Sequence, residues 1–460
     1  MAMNAIEATE PHPSRDELER FMLGELQSDD NRRVLRHLVA DCPRCHETTS
    51  HLWDIEQEEE TATASLREAS QRASYDLAID RVFDRVRQAN HQLQSERGQA
   101  RQLYEELARH PLERQRLLIQ NSTRFQTWGF CELLLNLSQE GRYADPQEGA
   151  QLAEIAVAVA EALEPAVYGA TLLQDMKARA WAYLGNTKRV LSDFRAADHA
   201  FQVAESHLAR GTGDRLEKAR FLDLKASLRN YQGRTEEALA LLNRVIAIYQ
   251  RAQQKHHLGR ALLNKGHVCI WGGDLETAIV LLRQGLALTD PQREAKLVAT
   301  AQHNLAYVLN ENGRHEEALA MVGRTRARYL ELGDHATNLV RLRFLEAKIA
   351  LALGRLEQAE AGLQEVRREF TERGMAYDVA LVSLDLAEVY TRQARHAEVR
   401  ALGEEMVPIF QSRELHREAI AALIVFQKAV EAECVTLGFI HEVADVLQKM
   451  RREVPSAAKL

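Results

Sequence analysis

Proline is scarce in this chain, nine in 460 residues, and aromatic side chains make up only 6% of it. Both shortages lean away from a turn-rich β architecture and toward helices. Cysteine numbers five, with Cys131, Cys269 and Cys434 scattered singly, which excludes a disulfide framework and casts these three as small buried apolar residues. No apolar run approaches 18 residues. The best, over 152–163, is short and broken by charge, so a membrane span is not expected. The chain does not open on a basic, apolar and then small-residue pattern, which points to a cytoplasmic protein. There is no GxxxxGK[ST] loop, no GxGxxG after a strand and no GxSxG elbow, and the many Glu-Glu pairs sit where acids complement helix N-termini; a non-enzymatic protein is expected. A formal net charge of −8 argues against wholesale nucleic-acid binding. What remains, 45% hydrophobic and 27% charged residues, is the composition of a folded, soluble, helical protein.

The N-terminal segment carries the one constellation of metal-binding residue types. Cys42 and Cys45 are separated by two residues, so both thiolates reach one tetrahedral ion from a tight turn, and His37 just upstream offers a nitrogen ligand. A fourth ligand is needed. His12 stands before Ser14 and Glu17, which predict a helix start with a reciprocal capping box; His46 and His51 are its rivals. About fifty residues bury too little apolar surface to fold alone, and a metal staple supplies the missing free energy. The pair His46 and His51 does not make a metalloprotease motif, because residues five apart diverge by about 140° around a helix where the protease needs i, i+4.

The run HPSRDELERFMLGEL followed by RHLVADCPRC resembles the zinc-binding anti-sigma factor domain of bacteria over about residues 11–56. The resemblance implies Zn2+ held by His12, His37, Cys42 and Cys45, and a sigma factor as partner. One departure is visible: four residues rather than three separate His37 from Cys42. Closed by four protein ligands, such a site is structural or a thiol switch rather than hydrolytic.

Further on, six segments align without gaps, beginning at Ser192, Gly233, Gly273, Gly313, Gly354 and Ala394, a period of 40 or 41 residues. Such regularity predicts a solenoid of helix pairs. The second helix of each pair opens with charged residues before a small one, at Ala197, Ala238, Ala278, Ala318 and Ala359, with Val399 as the exception, because only a small side chain fits where two helices cross closely. The units resemble tetratricopeptide repeats: Trp181, Leu184, Gly185, Ala197 and Phe201 fall at that family's offsets, and Ala226, Gly266, Ala306, Ala347 and Ala387 take its small position in the first helix. The domain reading is then a zinc-binding head over 1–56, a polar tether over 57–74, a helical N-terminal part of the solenoid over 75–170, repeats over 171–412 and closing helices over 413–460.

Solenoids of this kind work through a concave surface lined by the first helix of each pair. In the tetratricopeptide register that face carries Arg179, Arg220, Arg260 and Arg341, with His267, His303, Phe344, Tyr307 and Lys348 beside them. A row of guanidinium forks suits an acidic peptide or helix; the alternative is that each Arg pairs with a carboxylate of its own or the next helix.

The expected fold is all-α, a small zinc-stapled helical head followed by a right-handed tetratricopeptide-like α-solenoid of about six repeats. The expected function is a cytoplasmic regulatory adaptor, anti-sigma-like by resemblance, with protein partners at the head and in the groove and no direct nucleic-acid or membrane contact. The alternative is an interaction scaffold in signalling or defence, regulated by proteolysis at the tether, in which the zinc head is only structural.

Overall fold

The computed structural model describes residues 12–22, 26, 30, 33–34, 86–143, 145–333, 337–410, 417–431 and 435–453. Two compact units emerge, Met1–Ala89 and Asn90–Leu460; the boundary falls inside the segment that the sequence assigned to the start of the solenoid. The 57–74 tether lies outside the described residues.

In the first unit, helix α1 (Arg15–Met22) begins where the sequence places it. The Ser14 amide donates to Glu17 Oε2 at 2.8 Å and the Glu17 amide to Ser14 Oγ at 3.2 Å, the reciprocal capping box. Glu17 also pairs with Arg33. These donors hold its carboxyl below the usual range, the Ser14 backbone amide first among them. Leu18 and Val34 are buried.

In the second unit a helix α2 covers 90–107, followed by α3 (Leu112–Asn121), α4 (Trp128–Gly141) and α5 (Pro146–Ala162). Helix α4 starts at Trp128 because Thr127 caps it by accepting from the Phe130 amide at 3.3 Å, while Thr123–Phe125 forms a single 3-10 turn. Cys131 is buried in this region, and Cys269 in the repeats, as small apolar side chains; burial pushes the Cys131 thiol up to about 12. Cys434 lies outside the described residues.

Six antiparallel pairs follow: α6 (Ala170–Val190) with α7 (Phe194–Leu208), α8 (Arg215–Tyr231) with α9 (Thr235–Arg251), α10 (Lys255–Gly272) with α11 (Leu275–Leu288), α12 (Ala295–Glu311) with α13 (His315–Glu331), α14 (Thr337–Ala352) with α15 (Leu356–Glu372), and α16 (Ala376–Arg392) with α17 (His396–Phe410). Helices α18 (Arg417–Glu431) and α19 (Leu437–Glu453) close the unit, and no strand occurs among the described residues. The second helix of a pair buries one stripe only. In α9 it is Ala238, Leu242, Val245 and Tyr249, in α13 Ala318, Val322, Thr325 and Tyr329, and in α15 Ala359, Leu363, Val366 and Phe370. The repeated i, i+4, i+7, i+11 spacing is one face of a helix, with the other in water. First helices are covered on more sides; α16 buries residues all around its circumference.

The small residue that opens each stripe is fully buried in five repeats, and Val399 is 5% exposed in the sixth. Across the pair, a Cβ on Gly185 would stand 2.9 Å from the ring of Phe201, and one on Gly266 would stand 3.0 Å from Leu282. The small residue of the first helix therefore makes room for a bulky side chain of the second where the helices cross, which is the reason for its periodic placement.

The turn between paired helices takes a left-handed residue in every repeat: Gly233, Gly273, Gly313 and Gly354, but also Ser192 at φ 62° and Ala394 at φ 57°. A Cβ in that region costs about 1–2 kcal/mol, part of which glycine returns as backbone entropy. We therefore expect Ala394→Gly to stabilise the repeat array by about 0.5–1 kcal/mol and Gly273→Ala to destabilise it by about 1–2 kcal/mol, both read as shifts in the urea midpoint. No shift from either substitution would show that the turns are not strained.

Candidate functional site

The inner face of the array is built from the first helices. Residues three, four and seven apart on α10, α12, α14 and α16 line up toward one cavity of about 330 Å³. Its walls are His267 and Trp271 from α10, His303, Asn304 and Tyr307 from α12, Arg341, Phe344 and Lys348 from α14, Asp378, Leu381 and Asp385 from α16, and Ala444 and Gln448 from α19. Six of the nine groove residues expected from the sequence, His267, His303, Tyr307, Arg341, Phe344 and Lys348, thus meet in one place.

The other three do not. Arg179 reaches Glu217 through Nε at 3.2 Å and through a second guanidinium contact, and Arg220 Nη1 stands 2.6 Å from the same carboxylate. Burial works against the charge of Arg179, but Glu217 outweighs it and holds the guanidinium above its ordinary range. Arg260 Nη1 is 2.9 Å from Glu294. The gap beside Arg179 and Arg220 has a volume of about 10 Å³, room for no more than one water. In these three repeats the forks are spent on the array's own carboxylates: Arg179 ties α6 to α8, Arg260 ties α10 to the start of α12, and Arg220 pairs within α8.

Aromatic rings give the cavity its apolar character. The rings of His267 and Trp271 are 5.7 Å apart, Trp271 lies 5.8 Å from Tyr231, and Phe344 meets Phe370 edge-on at 6.1 Å. His303 stands 3.3 Å from the Tyr329 hydroxyl. Burial, with Arg341 adding to it, pushes this imidazole down to about 4, so it is neutral at pH 7.

The acidic side of the site belongs to α16. Burial raises the Asp385 carboxyl to about 6, against the pull of Lys348, with Glu388 and Glu311 pushing the same way as burial. Lys348 Nζ lies 3.7 Å from Glu311, and although burial opposes its charge, Asp385 and Glu311 keep the ammonium above its ordinary range. Glu388 is held by Arg392 at 2.5 Å and by His441 of α19 at 2.8 Å.

Several of these residues escape a reading of the sequence. Trp271 lies one turn beyond His267 and Asp385 shares the repeat register of Asn304, so the helical stripe itself was the available signal. Nothing in the repeat pattern announces α19, which packs against α16 and supplies Ala444 and Gln448.

Of the expected zinc ligands, His12 is half-buried just before α1, while His37, Cys42 and Cys45, and the rivals His46 and His51, lie outside the described residues. Among the described residues, no three His, Cys, Asp or Glu side chains are grouped as a metal site. No described helix is long and apolar enough to cross a membrane.

No model of a known protein family matches the chain, and no curated protein matches it. Solved structures do. The apo form of the quorum sensor NprR from B. thuringiensis is 14% identical and aligns over 71% of this chain and 95% of its own, with a TM-score of 0.51. The apo form of RapI is 14% identical, over 79% of this chain and 98% of its own, with a TM-score of 0.50. A signal-transduction ATPase with a tetratricopeptide repeat sensor, from Pyrococcus horikoshii, is 17% identical over 75% of this chain and 54% of its own, with a TM-score of 0.49. At these identities the likeness to NprR and RapI is one of fold. Together with the paired helices and their 40- or 41-residue period, it defines a tetratricopeptide-like helical repeat protein.

Proposed function

We propose that this protein is a non-enzymatic regulatory adaptor whose repeat array holds a peptide or an extended segment of a protein in the cavity between α10, α12, α14, α16 and α19. The observation that carries this reading is the cavity itself: about 330 Å³, walled by aromatic side chains with a few charged and amide groups among them, on the inner face of a repeat fold. That size and mixture suit a few side chains of a chain laid along the groove. The array shares its fold with the quorum sensor NprR, which makes a sensing role a natural one to test here.

The N-terminal unit serves, in this proposal, as the output module: an anti-sigma-like head, stapled by Zn2+ on His12, His37, Cys42 and Cys45, that binds a sigma factor. Its support is the ligand spacing and the resemblance over 11–56, together with the capped α1 directly after His12. The four ligands would leave the ion no open position, so its contribution when bound is folding free energy.

The test is a pull-down from native cytoplasm with the intact chain, a Cys42→Ser/Cys45→Ser variant and a Tyr307→Ala/Phe344→Ala variant, with zinc quantified in each. The expected result is one set of partners, a sigma factor among them, lost with the zinc, and a second set lost with the two rings. Partners indifferent to both changes would remove this reading. Zinc content unaffected by the cysteine changes would remove the stapled head.

A further inference from the structure

The acidic-ligand preference expected from the arginine row does not survive a count of the charges around the cavity. Arg341 and Lys348 are balanced within the lining by Asp378 and Asp385. His303 is neutral. Lys348 is also engaged by Glu311 at 3.7 Å, and Glu388 is engaged by Arg392 and His441. Asp385 is left half-buried on the cavity wall, with no hydrogen bond or close ion pair from any described residue; Lys348, Glu388, Glu311 and His441 act on it only through space. A partly buried carboxylate without a donor is costly, and with Glu311 counted beside the neutral lining the surroundings carry one excess negative charge, which together with the aromatic walls favours a group that cancels it.

Resting on the groove reading above, we propose that the cavity receives a peptide cation, with an ammonium or guanidinium seated on the Asp385 carboxylate and the adjoining bulky side chain against Phe344, Tyr307 and Trp271. The aromatic faces contribute twice. They bury the apolar neighbour, and they attract the cation through their ring quadrupoles. The ammonium of a lysine and that of a chain terminus share this chemistry. Gln448 and Ala444 of α19 line the cavity with uncharged groups, so within the lining the last helix adds shape without charge.

The experiment uses the full chain and fluorescein-labelled octapeptides, N-acetylated, with Trp-Lys, Trp-Met or Trp-Glu at their centre, followed by fluorescence anisotropy. Trp-Lys should bind at least about tenfold tighter than Trp-Met, the order expected of a charge-assisted hydrogen bond. Asp385→Asn should erase that preference while leaving Trp-Met unchanged, and Asp385→Glu should keep part of it. The preference should also fade as the pH is lowered through about 6, where Asp385 takes up its proton. A Trp-Met peptide with a free N-terminus that matches Trp-Lys would place a terminal ammonium on the same carboxylate. Tightest binding by Trp-Glu, or a Lys preference untouched in Asp385→Asn, would overturn the assignment while leaving a groove that still depends on Phe344. No saturable binding by any peptide, with Phe344→Ala indistinguishable from the native chain, would remove the groove and this proposal together.

Discussion

Phe201→Ala is expected to lower the stability of the repeat array by about 3–5 kcal/mol, among the largest losses a single truncation can cause. The ring is 1% exposed, lies edge-on to Phe221 at 5.9 Å, and fills the space left by the missing side chain of Gly185. A cavity there has no easy route to collapse, because α6, α7 and α8 are each fixed by their own neighbours. Urea unfolding followed by circular dichroism measures it. The partner substitution sharpens the test. Gly185→Ala places a methyl 2.9 Å from the ring and 3.3 Å from the Ala197 carbonyl, an overpacking cost of about 1–3 kcal/mol that the higher helix propensity of alanine only partly offsets. Combined with Phe201→Leu, which withdraws the ring, the same alanine should cost less than it does alone. Strict additivity of the two changes would show that Gly185 and Phe201 do not constrain each other.

Asp385→Asn should do the opposite and raise stability at pH 7 by about 2–3 kcal/mol, the free-energy equivalent of a carboxyl lifted from 3.8 to about 6 by burial. A raised carboxyl favours the folded chain below about pH 4 and loses that contribution as the pH rises through about 6. The advantage of the asparagine variant should therefore be full at pH 7 and shrink between 6 and 4. His303 runs the other way: held down to about 4, it supports the folded state above pH 6.5 and loses that support as the pH falls toward 4. In the native chain the two slopes oppose one another over the same window. In Asp385→Asn only the histidine slope remains, so the variant should lose stability on acidification more steeply than the native protein. Parallel pH profiles for the two chains would contradict the burial of Asp385. A substitution that stabilises the fold and abolishes cation preference is the behaviour of a residue kept for binding, since a functional site commonly holds a charge that the fold alone would discard.

Local rules make much of this protein legible in its sequence. Ser14 and Glu17 cap α1 because a capping box is written within four residues. The helix pairs follow from a period of 40 or 41, and the buried alanines from the need for close crossings. Each of these depends on chemistry that is complete within one turn or one repeat. The pairing of charges is not of that kind. Arg179 and Arg220 find one shared partner in Glu217, and His441 meets Glu388 across 53 residues, which no spacing rule specifies. The sequence alone placed an inner face with a stripe of arginines and aromatics on it. The tertiary structure decided that the arginines of the first three repeats are consumed by the array, that α19 walls the cavity, and that Asp385 is left facing it. The reason is that a charge's partner and its hydration are set by whichever helices pack around it, and packing joins residues far apart in the chain.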